Sequence, residues 1–180
     1  VGEPVALVGH SFGGLLSLEA ARLTDKISHL ILYEPAIPSD TPTYPPDVPD
    51  RIQALIDHGE LEQAMEFFYC QVAKLTEQEL TEYRQSWLWN LRIPIASTIP
   101  RELAVVENYV FNGENFSSRK LPTTLLQESE SPSFIRQASD LVAATLPESQ
   151  IVSLPGQQHV AHLTNPGLFA KTIERSLQRI

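Results

Sequence analysis

The segment Gly9-His10-Ser11-Phe12-Gly13 has the spacing G-x-S-x-G. It lies between a short apolar run, Val5-Ala6-Leu7-Val8, and a helical pattern through Leu15, Leu18, Ala21 and Arg22. A strand before and a helix after is the context in which this motif places a serine on a sharp, strained turn, with its hydroxyl above the edge of a sheet. Gly9 and Gly13 are expected where a side chain would collide with the neighbouring strand or helix. The helix that opens after Ser11 aims unpaired backbone N–H groups and its positive end at any oxyanion nearby, and the N–H of Phe12 is the first such donor. The chemistry this implies is nucleophilic attack by a serine on an acyl carbon.

A serine hydroxyl is a weak nucleophile and needs a base. The candidates are His10, His29, His58, His159 and His162. His10 adjoins the serine and cannot easily turn back onto it, so it is read as packing or lining a substrate pocket. His29 lies inside a predicted strand and His58 near a helix end, and both are read as structural. His159 follows the last predicted strand in Leu154-Pro155-Gly156-Gln157-Gln158-His159. A loop after the final strand of a parallel sheet can reach the carboxyl edge where α/β proteins bind ligands. His159 is therefore the preferred base, with His162 as its competitor.

The elements that must carry these residues alternate. Ile27 to Tyr33 reads as a second strand, stopped by Glu34-Pro35 because proline cannot continue a ladder. Prolines 35, 38, 42, 45, 46 and 49 then mark a rigid connection. Helices follow: one capped by Asp50 and running to Gly59, and one from Glu60 with Leu61, Met65, Phe68, Val72 and Leu75 on one face. Another opens with the capping box Thr76-Glu77-Gln78-Glu79 and passes through Leu80, Tyr83, Trp87 and Leu91. Pro94 and Pro100 bracket a break before a helix from Glu102 to Phe111. Pro122 to Gln127 is a third strand, Ser133 to Thr145 a helix, Gln150 to Leu154 a fourth strand, and Pro166 to Leu177 the closing helix. Strands alternating with helices predict a parallel sheet in an α/β fold. The expected organisation is a core segment 1–36 with the serine, a helical cap insertion 37–118, and a core segment 119–180 with the histidine.

The composition excludes several classes. The chain has 180 residues, 42% hydrophobic and 19% charged, with 13 basic against 22 acidic residues and a formal net charge of −9. An acidic chain without a basic cluster is not expected to bind nucleic acid or an anionic membrane surface. No apolar run approaches the ~18 residues of a membrane span. The single cysteine, Cys70, excludes an internal disulfide and is read as a buried structural thiol. No cluster has metal-ligand spacing, and Gly13-Gly14 belongs to the serine turn and not to a phosphate cradle. The expectation is a cytoplasmic protein with a small-molecule substrate, no metal and no cofactor. Phe68, Tyr69, Trp87, Trp89 and other aromatics of the insertion could line an apolar pocket or pack the insertion, with Trp87 as a candidate pocket residue.

On Val5 to Gly14, Leu32-Tyr33-Glu34-Pro35, Leu121 to Leu126 and Leu154 to His159, the chain resembles the α/β-hydrolase superfamily, in particular small capped hydrolases. The resemblance implies a catalytic triad, and the third member usually follows the strand after the cap, as an Asp. Ser131 stands where that Asp is expected, and a serine cannot hold charge opposite an imidazolium. Glu34 is the preferred substitute, because it ends the strand next to the nucleophile strand and so emerges at the same sheet edge. One class of the related haloalkane dehalogenases looks similar in drawing its acid, a Glu, from that strand. Glu128, Glu130 or no acid at all are the alternatives. The resemblance also implies about four strands before the serine turn, and the start at Val1 suggests a fragment holding the carboxy-terminal half of a mostly parallel sheet. Its nucleophile strand would then be an exposed edge, which invites pairing with another chain and a homo-oligomer.

The reading is a serine hydrolase acting on a small ester or similar carbonyl compound, with Ser11 as nucleophile, His159 as base, Glu34 as acid and Phe12 N–H in the oxyanion hole. A serine nucleophile disfavours epoxide hydrolase and dehalogenase chemistry, for which related enzymes use an Asp. The rivals are a non-catalytic binding protein of this fold or an inactive fragment. A triad used for carbon–carbon cleavage or perhydrolysis is a third reading.

Overall fold

The computed structural model describes residues 2–38, 43–118 and 120–178. The expectations that concern Val1 and Pro42 lie outside these residues. The chain divides into two compact units, one formed by Val1–Ser39 with Tyr109–Ile180 and the other by Asp40–Asn108. The second is narrower at both ends than the insertion 37–118 read from the sequence.

The first unit holds four strands, β1 (Val5–His10), β2 (Ile27–Tyr33), β3 (Thr123–Glu128) and β4 (Ser149–Leu154). All are parallel and stand side by side in chain order. Helix α1 (Phe12–Leu23) packs on β1 and β2, and α7 (Ser133–Thr145) packs on β3 and β4. Helix α9 (Pro166–Leu177) covers the face that carries Ile31, Tyr33, Leu126 and Leu154. Because side chains alternate across a strand, Leu30 and Leu32 serve the other face. β2 and β3 are buried over most of their length, with Leu30-Ile31-Leu32-Tyr33 and Leu125-Leu126 at their centres, as the interior strands of a parallel sheet are. β1 forms one edge, with Val5 and Val8 exposed.

The parallel register brings the carboxyl ends of all four strands to one side. His10 pairs with Tyr33, Tyr33 with Leu126, and Glu128 with Leu154. The residues just past these pairs are Ser11, Glu34, the loop 129–132 and the loop 155–160, which includes His159.

The second unit holds α2 (Val48–Asp57), α3 (Leu61–Gln71), α4 (Glu77–Arg84), α5 (Trp87–Arg92), a 3₁₀ segment (Ile93–Thr98) and α6 (Ile99–Asn108). The capping box is formed in full: Glu79 N–H donates to Thr76 Oγ1, and Thr76 N–H to Glu79 Oε2. Several boundaries differ from expectation. α2 begins at Val48, with Asp47 and not Asp50 at its N-cap, because Pro49 is tolerated in a first turn. The single helix expected through Trp87 and Leu91 is divided at Ser86, whose hydroxyl donates to the Tyr83 carbonyl at 2.7 Å while its backbone is extended. α6 starts at Ile99 rather than Glu102, again with proline in its first turn, and ends at Asn108 before Phe111. A short helix, α8 (Ala161–Thr164), was not expected. Among the described residues, no helix is long and apolar enough to cross a membrane.

His29 is structural, as expected. It is buried in β2, its Nε2 is hydrogen-bonded to Thr124 Oγ1 at 3.1 Å, and its Nδ1 is buried without a partner. Burial lowers its pKa from the ordinary 6.5. The unfolded chain then binds this proton more readily than the folded one, so the stability contributed is complete above the unfolded pKa and is lost as the pH falls through 6.5 toward the lower folded value. The urea midpoint of the wild type is expected to drop between pH 7 and pH 5 more steeply than that of His29→Gln. Parallel pH profiles of the two chains check this.

Candidate active site

The serine turn has a backbone only a tight strand-to-helix junction enforces. Ser11 has φ 52° and ψ −122°. Its N–H donates to Tyr33 O at 3.0 Å, and its carbonyl accepts from Gly14, Leu15 and Ala36 N–H. The Ser11 hydroxyl makes no cap hydrogen bond with α1, and the residue is half-buried. Phe12 is the first residue of α1, so helix geometry leaves its N–H without an intrahelical acceptor.

Gly9 is required as expected: a Cβ there would stand 2.3 Å from Ser17 Oγ and 2.5 Å from Gly13 O. Gly13 is not, because a Cβ there meets nothing within 4 Å. The second close approach is at Gly14, where a Cβ would lie 2.9 Å from the Cα of Pro35. The turn crosses the end of β2 one residue later than the motif suggested.

Glu34 and His159 meet. His159 Nδ1–H donates to Glu34 Oε2 at 2.8 Å, with the side chains 9% and 0% exposed. The same oxygen accepts from Ser131 Oγ at 3.0 Å, and Glu34 Oε1 accepts from Glu128 N–H at 2.9 Å. Ser131 Oγ in turn accepts from His159 N–H at 3.2 Å. Glu128 is buried but serves elsewhere: Tyr33 Oη donates to its Oε1, which also accepts from Ala161 N–H at 3.0 Å. Burial, and then Glu128, push the Tyr33 phenol far above its ordinary range, so it stays a donor. Glu130 is exposed and accepts from Ser129 Oγ.

Among the described residues, four other than glycine have positive φ: Ser11, Glu34 (42°), His159 (36°) and Lys74. Three are the candidate triad. Each such backbone costs on the order of 1–3 kcal/mol and persists only where surrounding structure over-determines it, most often at functional sites.

His10, read as packing or lining a substrate pocket, has its ring stacked on Tyr33 at 4.4 Å and 4.8 Å from that of His159. Its Nε2–H donates to His159 O at 2.9 Å, a tie from the serine turn to the His159 loop that the sequence did not suggest. His162 lies 4.7 Å from His10 in the same ring cluster. The roles of Tyr33 and Arg136, whose guanidinium donates to Ser131 O, were also missed. Tyr33 immediately precedes Glu34, and that adjacency was the one available signal.

Residues 1–172 match the Alpha/beta hydrolase family. The chain belongs to that family. An alpha/beta hydrolase from Sphaerobacter thermophilus is 27% identical, with a TM-score of 0.81 over 98% of this chain and 68% of that one. A 2-hydroxy-6-oxo-6-phenylhexa-2,4-dienoate hydrolase from a Rhodococcus species is 14% identical, with a TM-score of 0.68 over 98% of this chain and 64% of its own. An esterase from Exiguobacterium antarcticum is 17% identical, with a TM-score of 0.67 over 98% and 67%. The last two show the fold. The chain thus spans about two thirds of the length of these structures. No curated protein matches its sequence.

The other candidates of this α/β hydrolase take plainer places. Trp87 opens α5 in the second unit and is 74% exposed. His58 closes α2, its Nδ1–H donating to Ala54 O at 2.6 Å. Cys70 is half-buried in α3, and burial with Glu66 and Glu77 raises its thiol pKa, which disfavours the thiolate. Among the described residues, no group of three or more His, Cys, Asp or Glu could hold a metal.

The glycine geometry makes a paired prediction. Gly9→Ala is expected to lower unfolding free energy by about 1–3 kcal/mol through overpacking. Gly13→Ala, in a helical position with open space, is expected to be neutral or stabilising by up to about 1 kcal/mol. Urea unfolding of both variants checks the contrast.

Proposed function

We propose that Ser11, His159 and Glu34 act as a triad that hydrolyses a small ester or a similar carbonyl compound. The observation that carries the reading is the 2.8 Å hydrogen bond from His159 Nδ1–H to a fully buried Glu34 carboxylate. With its proton held at Nδ1, the neutral imidazole presents the Nε2 lone pair as its basic site. Family membership and the strained backbone at all three residues support it further.

In this reading, Ser11 Oγ attacks the substrate carbonyl carbon, and its proton passes to His159 Nε2. The carbonyl electrons move to oxygen, and the oxyanion faces the N–H of Phe12 and the positive end of α1. The oxyanion collapses, the bond to the leaving alcohol breaks, and His159 returns the proton to that alcohol. Water then attacks the acyl-Ser11 ester, with His159 again taking the proton and passing it to Ser11 as the acid departs. The Glu34 carboxylate faces the imidazolium in both steps. A cytoplasmic setting belongs to the same proposal and rests on the single cysteine.

A fluorophosphonate tests it. One adduct is expected, on Ser11, absent in Ser11→Ala. Glu34→Gln is expected to slow labelling by about 10²–10⁴-fold, as loss of an orienting carboxylate does, and Glu130→Gln to leave it within a few-fold. Labelling of Glu34→Gln at the wild-type rate would remove Glu34 from the triad. No adduct at all would move the weight to a binding role.

A further inference from the structure

Ser131 is 1% exposed in the loop after β3, and its hydroxyl serves the acid and the base at once. It donates to Glu34 Oε2 at 3.0 Å and accepts the backbone N–H of His159 at 3.2 Å. Its own carbonyl is held by the Arg136 guanidinium from α7. We infer that Ser131 is the positioning residue of the acid–base pair: its hydroxyl sets the plane of the Glu34 carboxylate and the backbone conformation of His159. The inference rests on the triad reading above.

The physical argument starts from the length of glutamate. Its terminal torsion is broad and roughly two-fold, so a carboxylate with a single donor per oxygen can rock out of line with the imidazole. Glu34 Oε1 is fixed by Glu128 N–H, and Oε2 has two donors, Ser131 Oγ–H and His159 Nδ1–H. Three donors around two oxygens leave the plane little freedom. His159 is held at φ 36°, and its N–H would be buried and unpaired without the Ser131 oxygen. A hydroxyl is the smallest group that can both donate and accept here. A carboxylate at this position would face Glu34 at about 3 Å, and two carboxylates that close do not both ionise. The neutral residue at 131 therefore goes with a charged residue at 34.

The experiment uses the full chain with ¹⁵N-labelled histidine. The Nδ1 proton of His159 is assigned as the hydrogen-bonded resonance that disappears in Glu34→Gln. In Ser131→Ala it is expected to move upfield and to exchange faster with water, at unchanged circular dichroism. Fluorophosphonate labelling of Ser11 is expected to slow about tenfold, the loss typical of a hydrogen bond to a charged group. In the Glu34→Gln background, the same substitution is expected to change labelling by less than about twofold, since the group it acts through is gone. Ser131→Cys, close in size with a weak donor, gives the same readouts where the alanine variant does not fold. An unchanged resonance in Ser131→Ala, or an undiminished loss in the Glu34→Gln background, overturns the inference. A wild type that shows the resonance yet never labels retires the hydrolase reading, and the resonance shift alone then decides the role of Ser131. A wild type without the resonance overturns the Glu34–His159 pair and the role of Ser131 with it.

Discussion

A carboxylate removed from water must be surrounded by donors, and the end of this sheet is organised around that requirement at Glu34. Its side chain is fully buried, and its donors come from the end of β3, from the loop that follows, and from the loop after β4. Such convergence needs the carboxyl ends of three adjacent strands at one level. The parallel register supplies it, because Tyr33, Leu126 and Val152 form one row across the sheet. A slip of one residue in β3 would turn its side chains to the opposite face and take Glu128 N–H and Ser131 away from Glu34.

The same row carries a second layer below the site. Tyr33 packs against His10 and Phe169 while its hydroxyl donates to Glu128 and accepts from Ala161 N–H at 2.7 Å. Ala161 opens the short helix that follows the His159 loop, so this contact fixes where that loop can end. His10 then bonds the His159 carbonyl from the other side. The His159 loop is thereby tied to β1, β2 and β3. These ties offset the backbone strain at Ser11, Glu34 and His159, none of which would hold positive φ in isolation.

With Glu34, just past β2, as the proposed acid, the loop after β3 has a different task. The Glu34 carboxylate lies one residue past β2, the last residue of β3 contributes a main-chain N–H to it, and the loop contributes a hydroxyl instead of a charge. Arg136 reinforces this by bonding the Ser131 carbonyl, which keeps the loop's polar groups aimed at Glu34.

Much of this was legible along the chain. Short segments with apolar centres marked all four strands, with β2 bounded as expected at Ile27 and Tyr33, and the ends of α7 and α9 were read at the residues where they occur. The serine turn was legible because its motif is local: Gly9, Ser11 and the flanking strand and helix lie within a few residues. Helix boundaries near Ser86 and Pro100 were not, since a hydroxyl bonding back to a carbonyl and a proline in a first turn leave the same residues in the sequence as their alternatives. The choice of Glu34 over Glu128 and Glu130 could only be ranked. All three sit near strand ends, and what separates them is which carboxylate faces an imidazole 125 positions away in the chain. That contact exists only once the strands pair in register. The sequence by itself determined the elements and the residue types available to the site. The tertiary structure decided which of them meet, because only strands paired in register bring the Ser131 hydroxyl, where an Asp was expected, to the Glu34 carboxylate as a donor.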